Sequence, residues 1–275
     1  MRFFPRLDAA RFAVALETLP PQKVLPKGLL RRARLLNGAP QAINVIQRPG
    51  RQSSLEASVA LQREGIEPAW HLVTRGRSRL EIQQDLETAA EGGIDQVLCI
   101  LGDHAGAEVP DAPSIREAIA MTRDRLPAAF VGATLNQYAR DPEAVLRNLM
   151  PKLRAGASYV QTQPVFETST LETYAVSVAR DAPETRVIAM ALPLLSFEAA
   201  ERIEERLAVR LPESLREMLQ TGDVSLAWAA FRATIEQLVA APFVHGVAIM
   251  TFEGDAPPET GAHILEALRS AGAID

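Results

Sequence analysis

A single cysteine, Cys99, stands in a chain of 275 residues. One thiol cannot build an intramolecular disulfide framework or a multi-cysteine zinc site. No set of histidines and carboxylates has metal-ligand spacing either, so no metal site is expected. Excess positive charge is missing: the net charge is −5, which argues against electrostatic binding to nucleic acid or an anionic membrane. No run of about 18 apolar residues occurs, which excludes a membrane-spanning helix. The first residues lack a clean apolar stretch, because Asp8 and Arg11 interrupt it. A signal peptide is therefore not expected, and a cytoplasmic protein is. G-x-S-x-G is absent, so a nucleophile-elbow hydrolase has no support. A glycine-rich phosphate turn after the first strand is absent too, where the chain reads Glu17-Thr18-Leu19-Pro20-Pro21. That counts against an open doubly wound dinucleotide fold.

What the chain does have is alternation. With 47% apolar and 23% charged residues it can bury a large core without staples. Short apolar runs at 12–16, 42–46, 69–73, 96–101, 128–133, 159–162, 186–191 and 246–251 predict buried strands. Segments with helical spacing lie between them at 54–64, 78–91, 114–125, 142–155, 170–180 and 258–270. The wide interval between the last two strands has room for three helices, at 197–207, 213–220 and 224–239. Helix-to-strand joints repeat a glycine, at Gly65, Gly93 and Gly156, as a left-handed helix cap requires. Ser78 with Glu81 predicts a capping box, and Asp141-Pro142 predicts a helix start. Regular βα alternation implies a parallel sheet covered by helices. Eight such units predict one α/β domain over residues 1–275, a (β/α)8 TIM barrel with extra helices between strands seven and eight and no regulatory domain.

In a barrel of this kind, function sits at the C-terminal strand ends. The polar residues there are Glu17, Gln47, Arg48, His71, Asp103, His104, Asn136, Gln161, Gln163 and Glu253. Glu17 ends a strand-like run, where burial raises a carboxyl pKa and suits it to act as a general acid. A salt bridge to Arg48 or Arg51 is the other reading. Asp103 follows Gly102 and faces the mouth, or else forms a turn. Gln161 and Gln163 offer an amide to the edge of a pterin or purine, or bond backbone instead. His71 meets a cofactor or is an ordinary core histidine. Cys99 is a buried packing residue.

Taken in order, these strand ends resemble the methylenetetrahydrofolate reductase family. The resemblance rests on E-x-x-P-P at 17–21, the Gly-Ile-x-x-x-x-H-L run at 65–72 and G-I-x-x-V-L-x-x-x-G-D at 93–103. It continues with A-G-A-x-x-x-x-T-Q-x-x-F at 155–166, A-L-P-L-L-S-F at 191–197 and the final strand G-V-A-I-M-T-F. It implies reduction of 5,10-methylenetetrahydrofolate to 5-methyltetrahydrofolate, with hydride passing from NAD(P)H through FAD. It makes Glu17 and Asp103 the catalytic pair and puts Asp103, Gln163 and the position of Ile203 against the folate. His71, Gly102, Lys152 and Thr134 fall on flavin-side positions. The sequence departs from the bacterial pattern where Leu101 replaces an arginine that contacts FAD. A tyrosine after strand five is replaced at Thr134 or Leu135, and Ile203 replaces an aromatic. Arg48 and Arg51 are suited to replace the lost phosphate contact. These changes leave two enzyme readings: an FAD-dependent reductase, and one that passes hydride directly from the nicotinamide to the folate. A folate-binding accessory subunit and a folate-dependent methyl-transfer or demethylation protein are the alternatives. The expected partner is a small folate, and a homo-oligomer is compatible with all of these readings.

Overall fold

The computed structural model describes residues 3–9, 11–23, 26–102, 109–251 and 256–275. A short helix α1 (Phe3–Asp8) precedes β1 (Ala13–Thr18). Seven helix-to-strand units and a final helix follow. They run α2 (Pro26–Ala33), β2 (Ala42–Val45), α3 (Ser54–Arg63), β3 (Pro68–Val73), α4 (Arg79–Glu91) and β4 (Gln96–Ile100). Next come α5 (Ile115–Arg125), β5 (Phe130–Leu135), α6 (Pro142–Arg154), β6 (Tyr159–Pro164), α7 (Ser169–Asp181) and β7 (Arg186–Ala191). Helices α8 (Phe197–Leu207), α9 (Glu213–Gln220) and α10 (Val224–Ala240) fill the wide interval before β8 (Gly246–Ile249) and α11 (Pro258–Ser270). The strands pair in chain order, all parallel, and β8 closes on β1. The fold is the (β/α)8 barrel that the alternation implies.

The local signals work as the sequence indicates. Gly65, Gly93 and Gly156 all have positive φ, the conformation that caps the preceding helix. Ser78 and Glu81 form a reciprocal capping box, and the Asp141 side chain accepts from the Ala144 N–H. Two helices escape the sequence reading, α1 and α2. Each is under three turns. In α2 only Leu29 and Ala33 are buried, too few positions to display a period.

Strand ends differ more instructively. β1 runs on to Thr18, β5 to Leu135 and β6 to Pro164, so Glu17, Thr134 and Gln163 lie inside strands. An apolar run stops at the first polar residue, but a barrel strand continues into its polar mouth. Below that mouth the barrel is filled. Ala13, Ala15, Leu98, Phe130, Tyr159 and Ile188 belong to one buried cluster, in which the Phe130 and Tyr159 rings stack with centroids 4.8 Å apart. Cys99 faces outward, fully buried among the helices.

Candidate functional site

The mouth is built on alternation. In β1, Ala13 and Ala15 point into the filled barrel, so Glu17 points inward one layer higher. The same parity on β6 stacks Gln161 above Tyr159. Asn44 of β2 is the register partner of Glu17. These three side chains meet: Gln161 Nε2 donates to Glu17 Oε1 at 2.9 Å, and Asn44 Nδ2 donates to Gln161 Oε1 at 2.8 Å. They are 8%, 3% and 4% exposed respectively. Burial pushes the Glu17 carboxyl up from 4.5 to about 7, against the smaller opposing effects of the Gln161 hydrogen bond and the Arg48 charge. Glu17 thus holds a proton near neutral pH and has no salt bridge to Arg51, whose guanidinium bonds the Pro20 carbonyl at 3.1 Å.

Two cavities open beside this cluster. The larger, about 860 Å³, starts at Glu17 and runs out between α2 and α11. Six arginines line it: Arg31 and Arg32 of α2, Arg34 just after it, Arg48 after β2, Arg206 of α8 and Arg269 of α11. Glu17 is the one acidic side chain among its described lining residues. Such a concave cluster of guanidiniums concentrates anionic ligands, notably carboxylates and phosphates.

The smaller cavity, about 540 Å³, lies over β3 and β4 and includes Arg48, His71, Arg75 and Gly102. His71 is buried with its Nε2 unpartnered, and burial lowers its pKa from 6.5 to about 4. Gly102 has φ +92°, and a Cβ there would lie 2.6 Å from Val73 Cγ1. Only glycine keeps that wall open. A neutral imidazole with a free nitrogen beside a bare backbone suits a flat heteroaromatic ring.

His71 also carries a stability consequence. Its folded pKa lies below its unfolded one, so the unfolded chain takes up the proton first on acidification. Stability should fall as pH drops from about 6.5 to about 4, by roughly 3 kcal/mol in all. His71→Leu should remove that loss, so the urea midpoint of the variant should gain on that of the wild type as pH falls through the interval. A difference between the two proteins that does not change with pH would exclude the His71 effect.

The other expected site residues are placed as follows. Thr134 pairs with Gln161 in register and is exposed at the mouth. Arg48 borders both cavities. Gln47 caps α3, accepting from the Ser54 N–H at 2.8 Å, while Ser53, at the N-cap position, makes no side-chain capping bond. Asn136 accepts from the Tyr138 N–H in a local turn. Gln163 is half-buried at a register shift between β6 and β7, its backbone held at both ends by the Gln137 amide, and it borders neither cavity. Lys152 lies in the last turn of α6. A helix in a βα unit returns toward the strand N-termini, so this turn is at the far end of the barrel and Lys152 is not brought to the mouth. Ile203 is fully buried in the cluster around α8 and lines neither cavity. Asp103, His104 and Glu253 lie outside the described residues. Asn44 was missed by sequence reading, and of the two candidates Gln161 and Gln163 it is Gln161 that meets Glu17. Their signal was inward parity: a polar residue where strands two and six otherwise bury apolar ones.

Comparison with known proteins agrees with this architecture. The family model for methylenetetrahydrofolate reductase matches residues 2–256. A probable methylenetetrahydrofolate reductase (NADPH) of Caenorhabditis elegans is 25% identical over 234 residues, 78% of this chain. The chain spans about a third of that relative, 35% of its length. Among solved structures, a Clostridium thermocellum protein that binds two copies of 5-methyl-5,6,7,8-tetrahydrofolic acid superposes with a TM-score of 0.72. It is 14% identical, with 98% of this chain and 99% of that one covered. Tryptophan synthase from M. tuberculosis gives a TM-score of 0.57 at 13% identity, covering 100% and 99%. These two show the barrel alone. No helix among the described residues is long and apolar enough to cross a membrane, and the described residues hold no cluster of three metal-ligating side chains.

Proposed function

The chain belongs to the methylenetetrahydrofolate reductase family, and from that premise we propose that it reduces 5,10-methylenetetrahydrofolate to 5-methyltetrahydrofolate with hydride from NAD(P)H. The observation that carries this reading is the buried, proton-holding Glu17 at the head of the arginine-lined cleft. The methylene carbon bridges two nitrogens of the substrate. Cleaving the bond to one nitrogen needs a proton on it and leaves the carbon as an iminium on the other. Glu17 supplies that proton, and a hydride then converts the iminium to a methyl group. A general acid of this kind contributes roughly 10²–10⁴-fold. Asp103 is proposed as the anion beside the cationic iminium, the role that the family resemblance gives it.

The arginines of the larger cleft suit the glutamate end of a folate. Arg206→Glu should raise KM for the folate roughly fivefold while sparing kcat, as about 1 kcal/mol of exposed ion pairing implies. Salt should weaken the wild-type affinity in the same direction. A salt-independent KM would exclude a charged role for the cleft.

The residues at the smaller cavity, His71, Gly102 and Arg48, fit the hydride-carrying ring. FAD, if it is that carrier, would supply a ring that accepts hydride from the nicotinamide and returns it to the folate. A second reading dispenses with FAD, and Leu101 favours it. This side chain is 48% exposed where the family pattern has a flavin-contacting arginine. The test is NAD(P)H oxidation by purified protein, dependent on methylenetetrahydrofolate, with the visible flavin absorption recorded before and after adding FAD. Turnover without bound flavin supports direct transfer. No folate-dependent oxidation under either condition leaves a folate-binding accessory protein as the function.

A further inference from the structure

Gln161 could present either end of its amide to Glu17. The NH2 and C=O ends differ little in size, so packing cannot tell them apart, and only hydrogen-bond partners can. In this barrel the choice is made by Asn44. Its Nδ2 donates to Gln161 Oε1 at 2.8 Å and so occupies the oxygen. The NH2 end is left for Glu17, and Nε2 donates to Glu17 Oε1 at 2.9 Å. An N–H donor cannot accept a proton. The acid proton of Glu17 is therefore not held by Gln161 and sits on the second carboxyl oxygen, free to find an acceptor in the cleft. With the amide reversed, Gln161 Oε1 would accept the Glu17 O–H and withhold it.

We propose that Asn44 is a positioning residue that locks the Gln161 amide in the one orientation that leaves the Glu17 proton available to a ligand. The lock spans three strands, β2, β6 and β1, and all three side chains are nearly inaccessible to water, so solvent does not replace a lost partner. It deepens the proposed reduction and rests on it for its catalytic consequence. The orientation itself can be tested without turnover. Among the described residues the charge that acts on Glu17 is Arg48, after β2, and the arginines of α2, α8 and α11 line the same cleft. None of them changes in the test.

Asn44→Leu removes the donor, keeps the same branched skeleton of side-chain heavy atoms and adds no charge. The readout is the infrared C=O band of protonated Glu17, identified as the band missing in Glu17→Gln and followed against pH. In Asn44→Leu the midpoint should rise by about one pH unit, because a reversed amide stabilises the protonated acid. In a Gln161→Leu background the same Asn44→Leu change should move it little. With methylenetetrahydrofolate as substrate, Asn44→Leu should lower kcat about tenfold and leave KM unchanged. Asn44→Ala serves the same comparison if the leucine variant does not fold. An equal midpoint shift with and without Gln161, or no shift in either background, would overturn the lock. If Glu17→Gln retained full turnover, the acid role of Glu17 would fall instead, and the infrared comparison would still decide the orientation.

Discussion

Replacing Glu17 by glutamine should all but abolish folate reduction and, at pH 8, make the protein more stable. The first effect follows from removing the proton donor, a loss of roughly 10²–10⁴-fold in kcat. The second follows from linkage. The folded carboxyl titrates near 7 and the unfolded one near 4.5, so the folded chain binds the extra proton between those values. Its stabilising effect is complete below about 4.5 and is lost as pH rises through about 7. Above that, the ionised buried carboxylate costs the fold about 3 kcal/mol. Glutamine keeps the shape, accepts the Gln161 bond and carries no charge. Urea unfolding at pH 5 and pH 8 checks both signs: the two proteins should be similar at the lower pH and diverge at the higher. A variant no more stable than wild type at pH 8 would mean that Glu17 is not strained by burial. The opposing His71 effect covers about 4 to 6.5, so the two should nearly cancel over that interval in the wild type and reappear singly in each variant.

A second large effect is expected at the barrel floor. Gly132 of β5 faces inward against Tyr159, its register partner on β6. A Cβ at residue 132 would lie 2.2 Å from Tyr159 Cζ and 2.5 Å from both Cε atoms. The ring cannot swing away, because Phe130 stacks on it and the barrel is full. Gly132→Ala should therefore cost about 3 kcal/mol, the upper part of the range for overpacking. For a chain of this length that lowers Tm by roughly 6–12 °C. Pairing it with Tyr159→Phe should not restore stability, since the clash involves ring carbons that phenylalanine retains. Pairing it with Tyr159→Leu should restore part of it. A Gly132→Ala protein with wild-type Tm would show that the ring has room to retreat.

Much of this architecture was readable from local chemistry. Apolar runs marked every strand, because barrel strands are covered on both faces. Glycines such as Gly93 marked the joints, because a left-handed cap excludes most other residues. Glu17 stood out since a carboxyl at the end of an apolar strand needs a reason. What the sequence did not show also has a cause. The hydrogen bond between Asn44 and Gln161 joins residues 117 apart in the chain. No local pattern reports such a meeting. Lys152 and Ile203 were assigned by motif position, which reports neither helix direction nor burial. The short helix α2 was overlooked although three of its side chain neighbours, Arg31, Arg32 and Arg34, form one wall of the larger cleft.

The stacked rings of Phe130 and Tyr159 close the barrel directly beneath the Glu17 cluster. Among the described residues, the side chains of that floor cluster are apolar or aromatic. In the proposed reaction, a Glu17 that has given up its proton would therefore be recharged from the mouth, the side on which the substrate binds. A ligand seated there would stop the refill, so product would have to leave or loosen before the acid is ready again, and turnover and reloading would alternate at the mouth.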